Sequence, residues 1–390
     1  MVLSRRLVAS DIGAFFFAVA FAESFVVIGN FGMTSVMARR VAASPADASV
    51  HFGRLLGFRI VSAPVYLIVI MSAALLFTKA RLAIILAAAV MALLEDLYFS
   101  FGTLWLGLRK AMYNVTLGVT AHTLYVFVFL AGMWAAPSLE MLIGVTMFRS
   151  IFLISAGLWI VQSRLFPLRT QLDWSVVRAG LPFVVIAGLH VFRDQIGTLM
   201  LGALSSYESV AHYNLAWRLV ASALFFPTAI CAVFVPLLSA HGLTADNRRL
   251  TARAGIVIGV TGCAGGLIAW FFAVPLAAVF YGPLAPTVAP LIQSLAILFP
   301  IGFLALFLSL VLQALYQESH VLRTLLLVTL ANLAANWILV PRFGARGAVH
   351  AQILATFLQL VILGWRLRTL HAEDHRVAVP EYTVFADGSP

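Results

Sequence analysis

Arg178–Leu219 reads RAGLPFVVIAGLHVFRDQIGTLMLGALSSYESVAHYNLAWRL. The run to Leu204 has the length and apolar content of a membrane-spanning helix, yet carries His190, Arg193 and Asp194 at its middle. A short turn, Ser205 to Ser209, leads into a second apolar helix that carries Arg218. A charged group at the centre of a span costs about 2.5–3.5 kcal/mol on insertion scales. Such groups persist when they pair or face a water-filled cavity. Here they crowd the middle of the chain, where one bundle of helices is expected to meet another.

Composition extends this reading to the whole chain. Of 390 residues, 62% are hydrophobic and 10% charged, and the mean hydropathy is +1.02. Soluble domains carry about 25% charged residues. So much apolar surface needs a bilayer, and the expected class is an all-α polytopic membrane protein. The net charge of +10 does not argue for nucleic acid, because basic residues of membrane proteins gather in cytoplasmic loops and set topology. Cys231 and Cys263 lie in apolar runs and read as small hydrophobes rather than a disulfide. The apolar run from Ile12 to Val36 is too long for a signal-peptide core of about 7–15 residues and reads as a span.

A span needs about 20 mostly apolar residues. The segments 12–36, 56–78, 82–107, 112–136, 140–162, 179–204, 210–237, 254–280, 288–315, 322–340 and 346–367 qualify. The stretch 163–178, SRLFPLRTQLDWSVVR, reads as an amphipathic helix lying in the membrane surface. It divides the spans into five and six. The expected organisation is an N-terminal lobe 1–162, the linker 163–178, a C-terminal lobe 179–367 and a polar, disordered tail 368–390.

Alternate connections differ in basic residues. One set holds Arg39, Arg40, Arg54, Arg59, Arg109, Lys110, Arg164, Arg169, Arg178, Arg248, Arg249, Arg253, Arg323, Arg366, Arg368 and Arg376, which is sixteen. The other holds Arg5, Arg6, Lys79, Arg81, Arg342 and Arg346, which is six; the remaining three of 25, Arg149, Arg193 and Arg218, lie within spans. This bias predicts a cytoplasmic C-terminus. Eleven spans would then put Arg5 and Arg6 outside, so the expectation is a twelve-span family, six plus six, with the first span lacking here. A weak internal echo agrees: Ile12–Ala18 after Ser10-Asp11, and Val210–Ala216 after a Ser-rich turn, share a small residue, an aromatic and an alanine at a span's start.

The acids at span depth are Glu23, Glu95, Asp96 and Asp194. His190, Arg193 and Asp194 share a helix face by their spacing. Polar stripes follow on other spans: Asp96, Ser100 and Thr103; Asn114, Gly118 and His122; Asn332 and Asn336; Gln352, Thr356 and Gln359. Together they imply a shared wet cavity, although a single amide more often bridges helices, at about 0.6 kcal/mol. Adjacent Glu95 and Asp96 cannot both ionise cheaply at low dielectric, which favours a proton or cation role. No glycine-rich phosphate loop, CxxC or HExxH is present, so neither an enzyme, a cofactor nor a metal is expected.

Four motifs stand out in order along the chain: Ser10-Asp11-Ile12-Gly13-Ala14-Phe15; Asn30-Phe31-Gly32-Met33; Asp194–Gly202, DQIGTLMLG, with Tyr213, Ala216 and Arg218-Leu219 following; and Pro341–Ala348, PRFGARGA. Together they resemble the Wzx-type O-antigen and exopolysaccharide flippases of the MATE-like MOP superfamily, kin to the lipid II flippase. The first is similar to the start of that family's second helix, the next to the glycine motif that ends it, the third to the seventh helix, and the last to the loop between the final two helices. The resemblance runs from residue 4 to about residue 367.

It implies two helical bundles around a central cavity, alternating access, and transport of undecaprenyl-diphosphate-linked oligosaccharide to the periplasmic leaflet of the bacterial inner membrane. A diphosphate needs a cationic, wet pocket. The substrate-binding candidates are Arg149, Arg193, Arg218, His190 and His122; the ion-coupling candidates are Glu95, Asp96, Asp194 and Glu23. Expected partners are the lipid-linked oligosaccharide, membrane lipid, and a polysaccharide polymerase or assembly proteins. Two other readings stand beside this one: a cation-coupled drug or metabolite exporter, and a non-transporting scaffold of a polysaccharide assembly complex.

Overall fold

The computed structural model describes residues 7–78, 81–241 and 244–372. These are helical apart from turns and two 3-10 segments, and include no strand. The helices are α1 (Ala9–Asn30), α2 (Met33–Ala43), α3 (Ala48–Phe77), α4 (Leu82–Gly107), α5 (Ala111–Ala135), α6 (Leu139–Arg164), α7 (Trp174–Leu204), α8 (Tyr207–Ala223), α9 (Phe225–His241), α10 (Ala245–Phe271), α11 (Ala273–Tyr281), α12 (Ala285–Leu295), α13 (Leu298–Ala314), α14 (Glu318–Phe343) and α15 (Ala345–Ala372). Ten stretches among the described residues are long and apolar enough to cross a membrane. The chain is an all-α, multi-pass membrane protein.

The helices end where backbone chemistry requires it. Phe31 and Gly32 are left-handed (φ 49° and 70°), and the Phe31 N–H donates to Val27 O at 2.7 Å. The expected span 12–36 is therefore two helices, broken after Asn30 at the glycine motif. Three other expected spans are also interrupted, between α8 and α9, α10 and α11, and α12 and α13. Each following helix has proline as its third residue: Pro227, Pro275 and Pro300. Proline lacks an N–H, and its ring crowds the carbonyl four residues back, here Ala223, Phe271 and Ala296. A hydropathy window counts apolar residues and is blind to such breaks. In the PRFGARGA motif, Gly344 (φ 53°) is the only residue between α14 and α15. A Cβ on Gly347 would lie 2.3 Å from the Leu339 carbonyl oxygen.

The stretch expected as a surface helix differs. Residues 163–164 end α6, residues 166–173 have no regular structure, and Trp174 begins α7. Pro167 cannot supply a helical N–H. The irregular run instead lies on α3: Gln171 N–H donates to Gly53 O at 3.1 Å, and Arg54 Nε is 3.3 Å from Asp173 Oδ2. Added Cβ atoms on Gly53 and Gly57 would sit 2.1 and 2.2 Å from the carbonyl oxygens of Arg169 and Gln171. At the other end, α15 runs to Ala372, so residues 368–372 are helix rather than tail. The rest of the expected tail, 373–390, lies outside the described residues.

The described residues fall into two compact units. One draws on the described residues up to Ala216, with Val274–Leu291 and Asn332–Ala351, the other on Trp217–Ala273, Ile292–Ala331 and the described residues from Gln352 onward. In the first, α1 packs on α3, α4 and α7, and α6 packs on α4 and α5. Phe52, Phe101 and Trp105 are fully buried at its core, the Phe101 ring 5.1 Å from Phe52 and 5.8 Å from Trp105. In the second, α10 and α9 pack on α13. Gly262 and Gly266 bring α10 against the α12–α13 joint, where added Cβ atoms would lie 2.8 Å from Pro300 Cα and 2.7 Å from Ala296 O. Glycine at i and i+4 permits such close backbone approach in membranes, where packing rather than water exclusion drives association.

Candidate functional site

Two charged clusters lie inside the first unit, one on each side of the Glu95-Asp96 pair. In one, Asp96 on α4 is ion-paired with Arg59 of α3 and accepts from Asn30 Nδ2 at 2.8 Å. Thr34 and Ser100 complete it: their hydroxyls are 2.9 Å apart, and Arg59 donates to each at 3.3 Å. The side chains of Arg59 and Asp96 are only 8% and 13% exposed, so this is a buried pair. Removing charges from water is costly, and the added hydrogen bonds are what make such a pair tolerable.

In the other, Glu95 is ion-paired with Arg149 of α6 and accepts from Ser150 Oγ at 2.7 Å. His122 of α5 hydrogen-bonds through Nδ1 to Gly118 O at 2.9 Å, and its Nε2 is 3.3 Å from Arg149 Nη1. Since a carbonyl only accepts, Nδ1 carries the proton and Nε2 accepts from the guanidinium. Arg149 Cζ lies 5.7 Å from the Tyr125 ring centroid, within cation–π range. Nearby, Tyr98 OH donates to Asn114 Oδ1 at 3.0 Å, and Tyr125 stacks on Phe129 at 5.7 Å. Guanidinium, imidazole, carboxylate and aromatic faces thus come together from α4, α5 and α6.

The remaining candidates are dispersed. Glu23 on α1 accepts from Gln195 Nε2 of α7 at 2.6 Å. Arg193 Nε is 3.5 Å from Asp194 Oδ1 on its own helix, with Asp194 59% exposed. His190 and Arg218 are exposed, Arg218 in the other unit. Below Asp194, Thr198 and Asn214 hydrogen-bond each other at 3.1–3.2 Å. Asn336 donates to Asn332 on the same helix at 2.8 Å, and Gln359 to Ser309 at 3.2 Å. These amides tie helices together or close on their own helix.

Sequence reading grouped Glu95 with Asp96 as two acids competing at low dielectric. In the structure each has its own arginine, Arg149 for Glu95 and Arg59 for Asp96. Arg59 was assigned to a cytoplasmic connection and is in fact buried within α3; the bias in basic residues survives its removal. Tyr125, Ser150 and Gln195 were also missed. Ser150 adjoins Arg149 and Gln195 adjoins Asp194 in sequence, but nothing local marks Tyr125.

No protein-family profile matches the sequence, and no curated protein does. Solved structures share the fold. A multidrug resistance MATE family transporter of the MOP superfamily, in an inward-facing conformation, superposes with TM-score 0.71 at 14% identity over 96% of this chain and 94% of that one. The lipid II flippase MurJ, in an inward closed conformation, gives TM-score 0.68 at 12% identity over 92% and 86%. A MOP superfamily transporter from Pyrococcus furiosus, with a binding pocket of reversed polarity, gives TM-score 0.64 at 16% identity over 94% and 89%. At these identities the likeness establishes the fold.

Proposed function

We propose that the protein flips undecaprenyl-diphosphate-linked oligosaccharide from the cytoplasmic to the periplasmic leaflet of the bacterial inner membrane by alternating access. The fold it shares with a lipid flippase and with MATE exporters supports a transporter. The observation that carries the substrate class is Arg149, a guanidinium among membrane helices flanked by His122 and the Tyr125 ring. Arginine binds phosphate in bidentate fashion, and aromatic faces suit sugar rings. Arg193, with His190 on its helix, is the second arginine proposed to grip the diphosphate; Arg218 is the third candidate. The acids Glu95, Asp96, Asp194 and Glu23 are the groups through which a driving cation would act.

The MATE fold favours a second reading, a cation-coupled exporter. Cationic cargo needs surplus negative charge, and both Glu95 and Asp96 are neutralised by arginine. That arrangement leaves no surplus negative charge for a cationic cargo at these two acids.

Replacing Arg149 and Arg193 together by alanine should leave the protein in the membrane and stop export of surface polysaccharide, and Arg149→Lys should recover only part of it. If Arg149 is merely structural, Arg149→Ala will lower protein level and Glu95→Gln will rescue it. Normal export from the double variant rules the arginine clamp out.

A further inference from the structure

A second feature lies on α5 and α6, apart from the Arg149 cluster. A groove of about 330 Å³ is lined by Met112, Tyr113, Thr116, Leu117 and Thr120 of α5 and Ile160 of α6. The Thr120 hydroxyl donates to Thr116 O at 2.8 Å, so that donor is used within the helix. Positions 112, 116 and 120 advance one turn at a time, which carries the groove roughly 12 Å along the helix.

One end of the groove is cationic. Lys110 and Arg109 precede Met112 in the α4–α5 turn, and Arg164 follows Ile160 by one helical turn; all three are exposed. The turn is held by Leu108 N–H to Leu104 O at 3.0 Å and Lys110 N–H to Trp105 O at 2.7 Å. Arg109 occupies it at φ 57°, a conformation usually left to glycine. None of the ion pairs among the described residues includes these three cations.

We propose that this groove is a site for one anionic phospholipid, an acyl chain lying along α5 and the phosphate held by Arg109, Lys110 and Arg164. Basic pockets between spans are suited to anionic headgroups. Opposite charge at one end and an apolar wall along the rest match a phosphate joined to an acyl chain. The groove is two to three helical turns long, which takes the part of one acyl chain nearest the headgroup. The site is independent of the cargo.

The test uses the full chain, purified and placed in vesicles of phosphatidylglycerol and phosphatidylcholine at 1:9, with retained lipid counted by native mass spectrometry. The wild type should keep one phosphatidylglycerol per protein after mild delipidation. The triple variant R109Q/K110Q/R164Q should reduce that occupancy at least fivefold. Thr116→Trp fills the groove without touching the cations and should do the same, while R342Q/R346Q should not. Unchanged occupancy in either of the first two variants, each checked for helicity and elution volume, overturns the proposal. So does equal retention of phosphatidylcholine. Displacement of the bound lipid by an equal amount of polyprenyl monophosphate also overturns it, since the occupant would then be a polyprenyl lipid.

Discussion

Arg59 and Asp96 are 37 positions apart and are joined inside the first unit with Asn30, Thr34 and Ser100 around them. Neither side chain has much water to fall back on. Breaking a buried pair by removing one partner costs about 3–5 kcal/mol, whereas replacing both with apolar groups of similar size is often neutral. Arg59→Ala should therefore lower the unfolding temperature in detergent sharply, and Arg59→Met with Asp96→Leu should restore most of it. The adjacent acids allow a second discrimination. Glu95→Gln with Asp96→Asn strands Arg149 and Arg59, so membrane protein level should fall. If the pair instead carries the driving cation, level will hold and only gradient-dependent transport will be lost. Sequence could show that Glu95, Asp96 and Arg149 lie at span depth, whereas Arg59 read as part of a connection. It could not show which arginine meets which acid, because helix-to-helix pairing leaves no local pattern.

At the scale of helices, Gly13 sets how closely α1 approaches the start of α8. An added Cβ would stand 1.6 Å from the Tyr207 carbonyl oxygen, a backbone atom that cannot swing aside. Gly202 similarly faces the Phe17 ring, 2.1 Å from an added Cβ. Gly13→Ala should cut thermal stability and yield. Gly144→Ala, with no atom within 4 Å of the new Cβ, should be neutral or raise stability by up to about 1 kcal/mol, the helix-propensity gain. Thermal melts of the two variants in one detergent decide this. The long spans α4, α5 and α6 were legible to within a residue or two because apolar runs there coincide with uninterrupted helix. The interruptions before Pro227, Pro275 and Pro300 were written in the prolines, yet Pro64, Pro290 and Pro341 lie within helices. Proline alone therefore does not locate a break. The 166–173 run departs from the expected helix because its amphipathic pattern carries no sign that Gly53 and Gly57 admit its backbone against α3.

For the whole molecule, the membrane class and helical fold follow from composition, but cargo and direction rest on the arginines. With Arg59 removed, the count of basic residues still favours the side that holds Arg109, Lys110 and Arg164. A reporter fused after Leu367 should read cytoplasmic, and a periplasmic signal there would reverse the orientation and the leaflet of the lipid groove. The central claim is movement of a lipid-linked diphosphate sugar. It is tested most directly in proteoliposomes carrying a fluorescent undecaprenyl-diphosphate oligosaccharide, with exposure of the label followed by a membrane-impermeant quencher. The account predicts that wild-type protein moves the label between leaflets, that R149A/R193A does not, and that a lipid-linked neutral sugar without the diphosphate is not moved. Transbilayer movement no faster than in protein-free vesicles, or equal movement by the wild type and the double variant, would contradict it.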